Sequence, residues 1–389
     1  MKSVRAVLFG VITCLSAIRV ANAVSGSAMK PVALPLAEGT VAGAAFSPDS
    51  SYLAVIRHAA VPGASAQRHI LQIVNLKSGQ ETAHAEVLNG EVADPASTAH
   101  FIAYSADGHY LLLATKGSDV LSILDAAKLQ TVKRFALHPE AESRTSLGER
   151  HRYFRGVVSL AVAPEAGIFA VVTHDELQDN EVFIGSFSSE QIVKSWSLGR
   201  GRTATQLGQI SISLSDHGGR IAVSVLPDKN SLPKAFHNLR LYDSGSGEMV
   251  KSIRTDGLVG SISLIHDENV LASRIDTPGL FSKRACIERW SLDAGTLGGQ
   301  FCDQGLDVNV ALAVSLAADR VVGSASQIHK SIEGQVYAAS GRVDVWDMKS
   351  GDLVASSSEM PRFISWIQVS ADGEWVMADQ SLFRLIPVP

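Results

Sequence analysis

One pattern recurs seven times along this chain: an alternating apolar strand, a turn rich in Asp, Gly and Ser, and a second apolar strand. Each turn carries an acidic residue, and the steps between these residues are 58, 58, 51, 51, 52 and 53. The acidic residues are Asp49, Asp107, Glu165, Asp216, Asp267, Asp319 and Asp372. Alternation at period two predicts strands with two different faces. Each repeat has room for four strands, whereas solenoid repeats, the alternative, are usually about 20–30 residues long.

A second hairpin follows the acidic turn in six of the repeats, and Gly341–Ser357 is its clearest copy. There Asp347 can accept backbone amides, and Gly351 can supply the positive φ that closes the turn. The other copies are Ile73–Thr82, Ile123–Val132, Ile184–Val193, Leu241–Val250 and Arg289–Gly298. The seventh repeat ends at Pro389 one strand short, and the orphan segment Pro31–Ala37 is predicted to supply that strand. Closing a ring in this way removes an exposed sheet edge.

The Gly341–Ser357 hairpin, with Trp346-Asp347 at its turn, resembles the last strand pair of a WD repeat. Residues 31–389 as a whole resemble WD-repeat and bacterial YVTN-type seven-bladed β-propellers of the exported kind. The resemblance implies an all-β propeller of four-stranded antiparallel blades, a single domain over residues 24–389 closed by strand 31–37. The His of the family's Gly-His dipeptide is out of place in every repeat, so its His/Asp hydrogen-bond network is not expected.

Residues 1–23 read as a secretory signal peptide cut before Val24. They carry Lys2 and Arg5, an apolar run from Ala6 to Ile18, and the triplet Ala21-Asn22-Ala23. The alternative is a buried N-terminal helix. Arg19 ends the apolar run before it can span a bilayer, and no later stretch is long enough. We therefore expect a periplasmic or secreted protein without a membrane span in its mature chain. Its net charge of −5 gives no reason to expect nucleic acid as a partner.

Two cysteines, Cys286 and Cys302, remain once residues 1–23 are removed, and they flank the hairpin of the fifth repeat. An oxidising compartment favours a disulfide between them. If the hairpin copies the turn at Asp347–Asp352, the two sulfurs fall on opposite sides of the sheet. A bulge at Gly298-Gly299 would shift one strand by a residue and align them. We predict the disulfide, with two free buried thiols as the alternative.

Strands a to d of a propeller blade run outward from the central channel, so the b–c and d–a connections share one face, here called the loop-rich face. Nearly all the variation in length falls on these connections: Arg57–Arg68, Asn89–Ala99, His138–Gly156, His174–Asn180, Leu226–Asn238, Arg274–Arg284 and Ser326–Ser340. Because a scaffold tolerates insertions where it binds, this face is predicted to bind the partner. The alternative is neutral drift of surface loops.

Basic residues recur on the loop-rich face and are the candidate binding residues. They are Arg57, Arg150, Arg152, Arg155, His174, Arg202, Arg254, His329 and Arg362. If they converge on the channel mouth, they favour a small anion or an acidic partner surface. The alternative is a locally neutralised loop, because Glu140, Glu142 and Glu149 share the segment His138–Gly156.

No sequence motif for catalysis or for a cofactor is present. The chain has no Cys-x-x-Cys-His, no zinc-type Cys/His spacing, no phosphate-binding loop and no Gly-x-Ser-x-Gly elbow. We therefore expect no cofactor and no metal, and predict a protein-binding or scaffold module. Two alternatives stay open: a non-catalytic subunit of a periplasmic oxidoreductase, similar to the heavy chain of amine dehydrogenases, and a lactonase-type hydrolase.

Overall fold

The computed structural model describes residues 28–34, 39–60, 67–87, 100–115, 118–138, 156–174, 179–200, 210–225, 238–255, 258–275, 286–302, 308–330 and 336–386. Within them every regular element is a strand, and the strands form seven sheets of four. The described residues contain no helix whose length and apolar character would allow it to cross a membrane.

Each sheet is one blade, and in blades 1 to 6 strands a to d are neighbours in the order of the chain. Blade 1 consists of β2 (Thr40–Phe46), β3 (Tyr52–Ala60), β4 (Gln67–Asn75) and β5 (Glu81–Val87). Blade 2 consists of β6 (His100–Tyr104), β7 (Tyr110–Thr115), β8 (Val120–Asp125) and β9 (Thr131–Ala136). Blade 3 consists of β10 (Gly156–Val162), β11 (Ile168–His174), β12 (Asp179–Ser186) and β13 (Gln191–Arg200).

Blade 4 consists of β14 (Ser211–Leu214), β15 (Arg220–Val225), β16 (Asn238–Asp243) and β17 (Met249–Arg254). Blade 5 consists of β18 (Leu258–Ile265), β19 (Asn269–Ile275), β20 (Cys286–Ser291) and β21 (Thr296–Cys302). Blade 6 consists of β22 (Val308–Ser315), β23 (Arg320–Lys330), β24 (Val336–Asp347) and β25 (Leu353–Ser356). Blade 7 is β26 (Ile367–Val369), β27 (Trp375–Ala378), β28 (Ser381–Ile386) and β1 (Ala28–Val32).

The first strands of neighbouring blades contact one another in a closed ring: β2, β6, β10, β14, β18, β22, β26 and β2 again. The chain is therefore a seven-bladed β-propeller, as the repeat predicted. The hydrophobic core consists of seven clusters, and each lies between two neighbouring blades. A blade therefore buries its apolar side chains against its neighbours on both faces of the sheet.

The strand that closes the ring is β1, which pairs antiparallel with β28 from Ala28↔Ile386 to Val32↔Leu382. An N-terminal closing strand was predicted, but its predicted bounds, 31–37, were wrong by several residues. The register is set by burial, because Met29 packs against the core between blades 6 and 7 and Val32 against the core between blades 7 and 1. Pro31 is tolerated because β1 is an edge strand with one side unpaired.

The acidic turns lie between strands a and b, as the spacing predicted. In blades 1, 2 and 7 a serine two residues before the aspartate donates its hydroxyl to that carboxylate. The pairs are Ser47–Asp49 at 2.6 Å, Ser105–Asp107 at 2.6 Å and Ser370–Asp372 at 2.5 Å. The same hydroxyls accept hydrogen bonds from the backbone amides of Tyr52, Tyr110 and Trp375, the first residues of strand b. The Ser-x-Asp motif thus joins both ends of the turn.

The c–d hairpins carry a bulge, which was proposed only for blade 5, at Gly298-Gly299, and is found there at Gly298. In all six the register shifts by one residue near the turn, for example between Val345 and Trp346. In blade 5 the shift falls between Arg289 and Trp290, so Cys286 lies directly opposite Cys302 and the two form a disulfide. The expectation that copying the Asp347 turn would separate the sulfurs was wrong, because that turn is itself bulged.

Replacing Asp347 by Asn should make stability less dependent on pH. Asp347 Oδ1 accepts the amides of Ser350 at 2.9 Å and Lys349 at 3.0 Å, and Arg320 contacts Oδ2 at 2.9 Å. These hydrogen bonds, that of Ser350 first, lower the pKa of Asp347. Because the pKa is lower in the folded state, ionised Asp347 stabilises the fold at pH values above its unfolded pKa of about 3.9. This stabilisation is lost as pH falls through the folded-state pKa.

The difference in unfolding free energy between wild type and Asp347→Asn should therefore shrink between pH 5 and pH 3, measured by urea unfolding. Asp352→Asn, in the same turn but with an exposed side chain, is the control and should show a smaller change. A difference for Asp347→Asn that stays constant with pH would contradict the assignment.

Candidate functional site

Arg57 was predicted to lie on a loop, but it lies within β3. The pairing of β3 with β4 continues beyond Arg57 as far as Ala60↔Gln67. Arg57 is buried, and its Nε donates to Gln72 Oε1 at 2.5 Å. Gln72 Nε2 donates in turn to Glu81 Oε2, and Glu81 Oε1 lies 2.6 Å from His84 Nδ1. A polar track thus crosses blade 1, and it holds Arg57 inside the sheet.

The other described candidates lie at the loop-rich ends of separate blades. His174 ends β11 and its Nδ1 contacts Asn180 Oδ1 at 2.8 Å, while Arg254 ends β17 and is exposed. His329 belongs to β23, whose backbone pairs it with Tyr337. The predicted loop Ser326–Ser340 was therefore wrong, because β23 and β24 continue as a paired hairpin past Ser326.

Arg362 precedes blade 7, and its Nη2 donates to Ser381 Oγ at 2.7 Å. Nearby, Asp379 accepts the Ser365 hydroxyl at 2.8 Å and the Trp366 amide at 3.3 Å. Burial raises the pKa of Asp379, although those bonds and the charge of Arg362 act in the opposite direction. The charge of Arg362 therefore faces a carboxylate of its own blade.

Four predicted cations, Arg150, Arg152, Arg155 and Arg202, lie outside the described residues. The described candidates belong to blades 1, 3, 4, 6 and 7 and contact residues of their own blades. Within the described part of the chain, no three His, Cys, Asp or Glu side chains are grouped as metal ligands would be.

A cleft of about 750 Å³ opens between blades 1 and 2 on the opposite face, the one that carries the a–b and c–d turns. We call it the blade 1–2 cleft. Its walls are the two Ser-x-Asp turns, the start of β5 and the c–d turn of blade 2. The lining residues are Ser47, Pro48, Asp49, Tyr52, Ile73, Thr82, Ala83, Tyr104, Ala106, Asp107, Gly108, His109, Ala126 and Ala127.

Two carboxylates, Asp49 and Asp107, give the cleft its charge. Hydrogen bonds from Ser47 and the Ser51 amide lower the pKa of Asp49 against the opposing effect of burial. Burial acts to raise the pKa of Asp107, but hydrogen bonds from Ser105 and the His109 amide outweigh it and lower that pKa. Burial raises the pKa of Tyr104, with the charge of Asp49 acting the same way, so this phenol is neutral. The cleft is therefore anionic at neutral pH.

A small residue at one position on strand d of blade 1 contributes to the space in the cleft. In blade 3 this position is Lys194, which donates to the Gly245 carbonyl in the c–d turn of blade 4. In blade 4 it is Lys251, which donates to the Asp293 carbonyl in blade 5. In blade 1 the residue is Ala83, opposite Ile73 as Lys194 is opposite Ile184. The side chain that bridges neighbouring blades elsewhere is thus absent here.

Asp49 and Asp107 mark the period of the repeat in the sequence, but the cleft was not predicted from them. A signal was present in the aligned c–d hairpins. The strand-d position reads Ala83, Lys133, Lys194, Lys251, Gly299 and Ala355 in blades 1 to 6. Only the packed blades show that a short residue there leaves a recess beside two carboxylates.

No protein-family model and no curated protein matches the chain. By structure, 1135 solved chains match, too many for the likeness to indicate a function. One is the crystal structure of the Myceliophteria thermophila Cps50 (Swd1) β-propeller domain, with a TM-score of 0.58 and 14% sequence identity over 90% of this chain and 96% of that chain. At this identity the likeness shows the fold alone: the protein is a seven-bladed β-propeller, similar in fold to that domain.

Proposed function

We propose that this propeller is a protein-binding module, a scaffold that holds a partner protein on its surface. The observation that carries the proposal is the blade 1–2 cleft, which is open, rigidly framed by strands and turns, and within the range of about 300–1,000 Å³ typical of ligand sites. Propeller surfaces suit such a role because each blade adds turns to the same two faces.

The variable connections of the loop-rich face support a second contact surface for the partner, in which Arg150, Arg152, Arg155 and Arg202 would meet acidic groups or a small anion. The signal-like residues 1–23 support export to the periplasm or the medium. The disulfide Cys286–Cys302 agrees with an oxidising compartment, where such bonds persist.

The test is purification of the tagged full chain from its native source, followed by reconstitution of any stoichiometric partner from purified components. The variants are Ala83→Lys, which fills the cleft, and Arg152→Ala/Arg155→Ala/Arg202→Ala, which alters the loop-rich face. We expect one of them to weaken the reconstituted complex about tenfold or more, as loss of a central contact does. No reconstituted partner, or full binding by both variants, would overturn the proposal.

The same preparation separates the enzymatic alternatives. A partner carrying a quinone or haem would favour the oxidoreductase subunit. A metal in the pure chain, or ester hydrolysis that a His174 or His329 variant loses, would favour the hydrolase. Either result would overturn a purely binding role.

A further inference from the structure

The charge of the blade 1–2 cleft is unbalanced. Among the described residues that line it, Asp49 and Asp107 are acidic, none is Lys or Arg, and His109 is the one titratable base. Hydrogen bonding keeps the pKa of both carboxylates below its ordinary value, so the cleft holds two negative charges at neutral pH. A partner that enters it gains most if it brings a positive charge.

The two carboxylates are held in place by their own turns. Asp49 Oδ1 accepts hydrogen bonds from Ser47 Oγ and the Ser51 amide, and Asp107 Oδ1 accepts them from Ser105 Oγ and the His109 amide. A carboxylate has about four acceptor positions, so each can also accept a hydrogen bond from a ligand. Acceptors fixed in this way lose little entropy when a ligand binds.

The rest of the lining is apolar or aromatic. Tyr52 is 36% exposed at the rim, Tyr104 is nearly buried, and Ile73 and Ala83 contribute aliphatic surface. Such walls suit a side chain with a long aliphatic stem and a cationic end. A guanidinium group fits better than an ammonium group, because it is planar, stacks on tyrosine and donates in a fixed fork that matches a carboxylate.

We infer, on the basis of the protein-binding function proposed above, that the blade 1–2 cleft binds an arginine side chain of the partner protein. At about 750 Å³ the cleft holds more than one ion, so the residues flanking that arginine enter with it. The site lies on the face opposite the variable loops, so the partner reaches it independently of them.

The experiment uses the full wild-type chain and a phage-displayed library of random 12-residue peptides, with removal of every phage that also binds Ala83→Lys. Lysine is accommodated at the matching positions 194 and 251, so this variant should fold, with Nζ directed at the Ala127 carbonyl. Val193→Lys, an exposed position on strand d of blade 3, is the matched control for the added charge. Peptides that remain should share an arginine, and Val193→Lys should retain them.

A selected peptide is then measured by fluorescence anisotropy against charge variants. Asp49→Asn and Asp107→Asn keep Oδ1 for the turn, and each should weaken binding about tenfold, as should citrulline in place of the arginine. Asp372→Asn is the control, because Ser370 and Asp372 form the same motif in blade 7 and neither residue lines the cleft. The Asp372 amide donates to Ser50 Oγ at 3.0 Å, and asparagine keeps that amide, so this variant should bind within about twofold of wild type.

Several results would overturn the inference. They are selected peptides without arginine, equal binding by the lysine or citrulline peptide, and equal losses for Asp372→Asn. None of them touches the wider function, since a partner could still be reconstituted through another surface. Conversely, failure to reconstitute any partner would refute the protein-binding function even if the peptides bound.

Discussion

Replacing Arg342 by leucine should lower the free energy of unfolding by about 3–5 kcal/mol, because it removes the partner of a buried charge. The Asp344 side chain is fully buried in the middle of β24. Arg342 Nε contacts its Oδ1 at 2.9 Å and Nη2 lies 3.4 Å from Oδ2, while Ser356 Oγ donates to Oδ1 at 2.5 Å. Without the guanidinium, the buried Asp344 carboxylate stays in the core with fewer of its hydrogen-bond partners.

The measurement is urea unfolding of wild type and variant at neutral pH. Arg384→Leu is the control, since Arg384 pairs with Glu374 at 3.5 Å with both side chains half exposed, and such surface pairs contribute less than about 1 kcal/mol. The double variant Arg342→Leu/Asp344→Leu should recover much of the loss, because it removes the charge as well. Equal losses for Arg342→Leu and Arg384→Leu would contradict the argument.

Trp346→Ala should also lower the free energy of unfolding by about 3–5 kcal/mol, as large-to-small changes at buried aromatic residues do. Trp346 is 2% exposed and packs between blades 5 and 6 against Leu271, Ile287 and Phe301. Alanine would leave a cavity in the only core that these two blades share in the described part of the chain.

Leu353→Ala is its matched control. Leu353 is directly opposite Trp346 in the c–d hairpin but is 46% exposed, and exposed substitutions usually change stability by no more than about 0.5 kcal/mol. Thermal and urea unfolding of the two variants measure the contrast. Comparable losses in both would mean that the hairpin, rather than the core between the blades, limits stability.

The repeat predicted the fold because each acidic turn depends on residues close in sequence. Serine, aspartate and the following strand interact within a few positions, so Ser47, Asp49 and Tyr52 carry the whole signal for their turn. The spacing of these turns then determines the number of blades. Local chemistry was enough for the architecture.

The closing strand and the site could not be predicted in the same way. The choice between Ala28–Val32 and Pro31–Ala37 depends on which side chains fit cores built largely from blades 6 and 7, at the other end of the sequence. Arg57 reads as a loop residue, but the pairing of β3 with β4 continues past it into a polar track. The cleft depends in part on a strand-d position that is alanine in blade 1 and lysine in blades 2, 3 and 4, and this matters only once the blades are adjacent.

The pairing of β1 with β28 makes the two ends of the sequence mechanical neighbours. Because the pairing is antiparallel, Ala28 and Ile386 lie at the same end of the ladder, so tension on the ends would open the five pairs one at a time from Ala28↔Ile386. Once they separate, β28 becomes an unpaired edge, open to strand exchange with another copy of the chain. The β1–β28 pairing that completes the ring is thus also the place where two copies of the chain would begin to exchange strands.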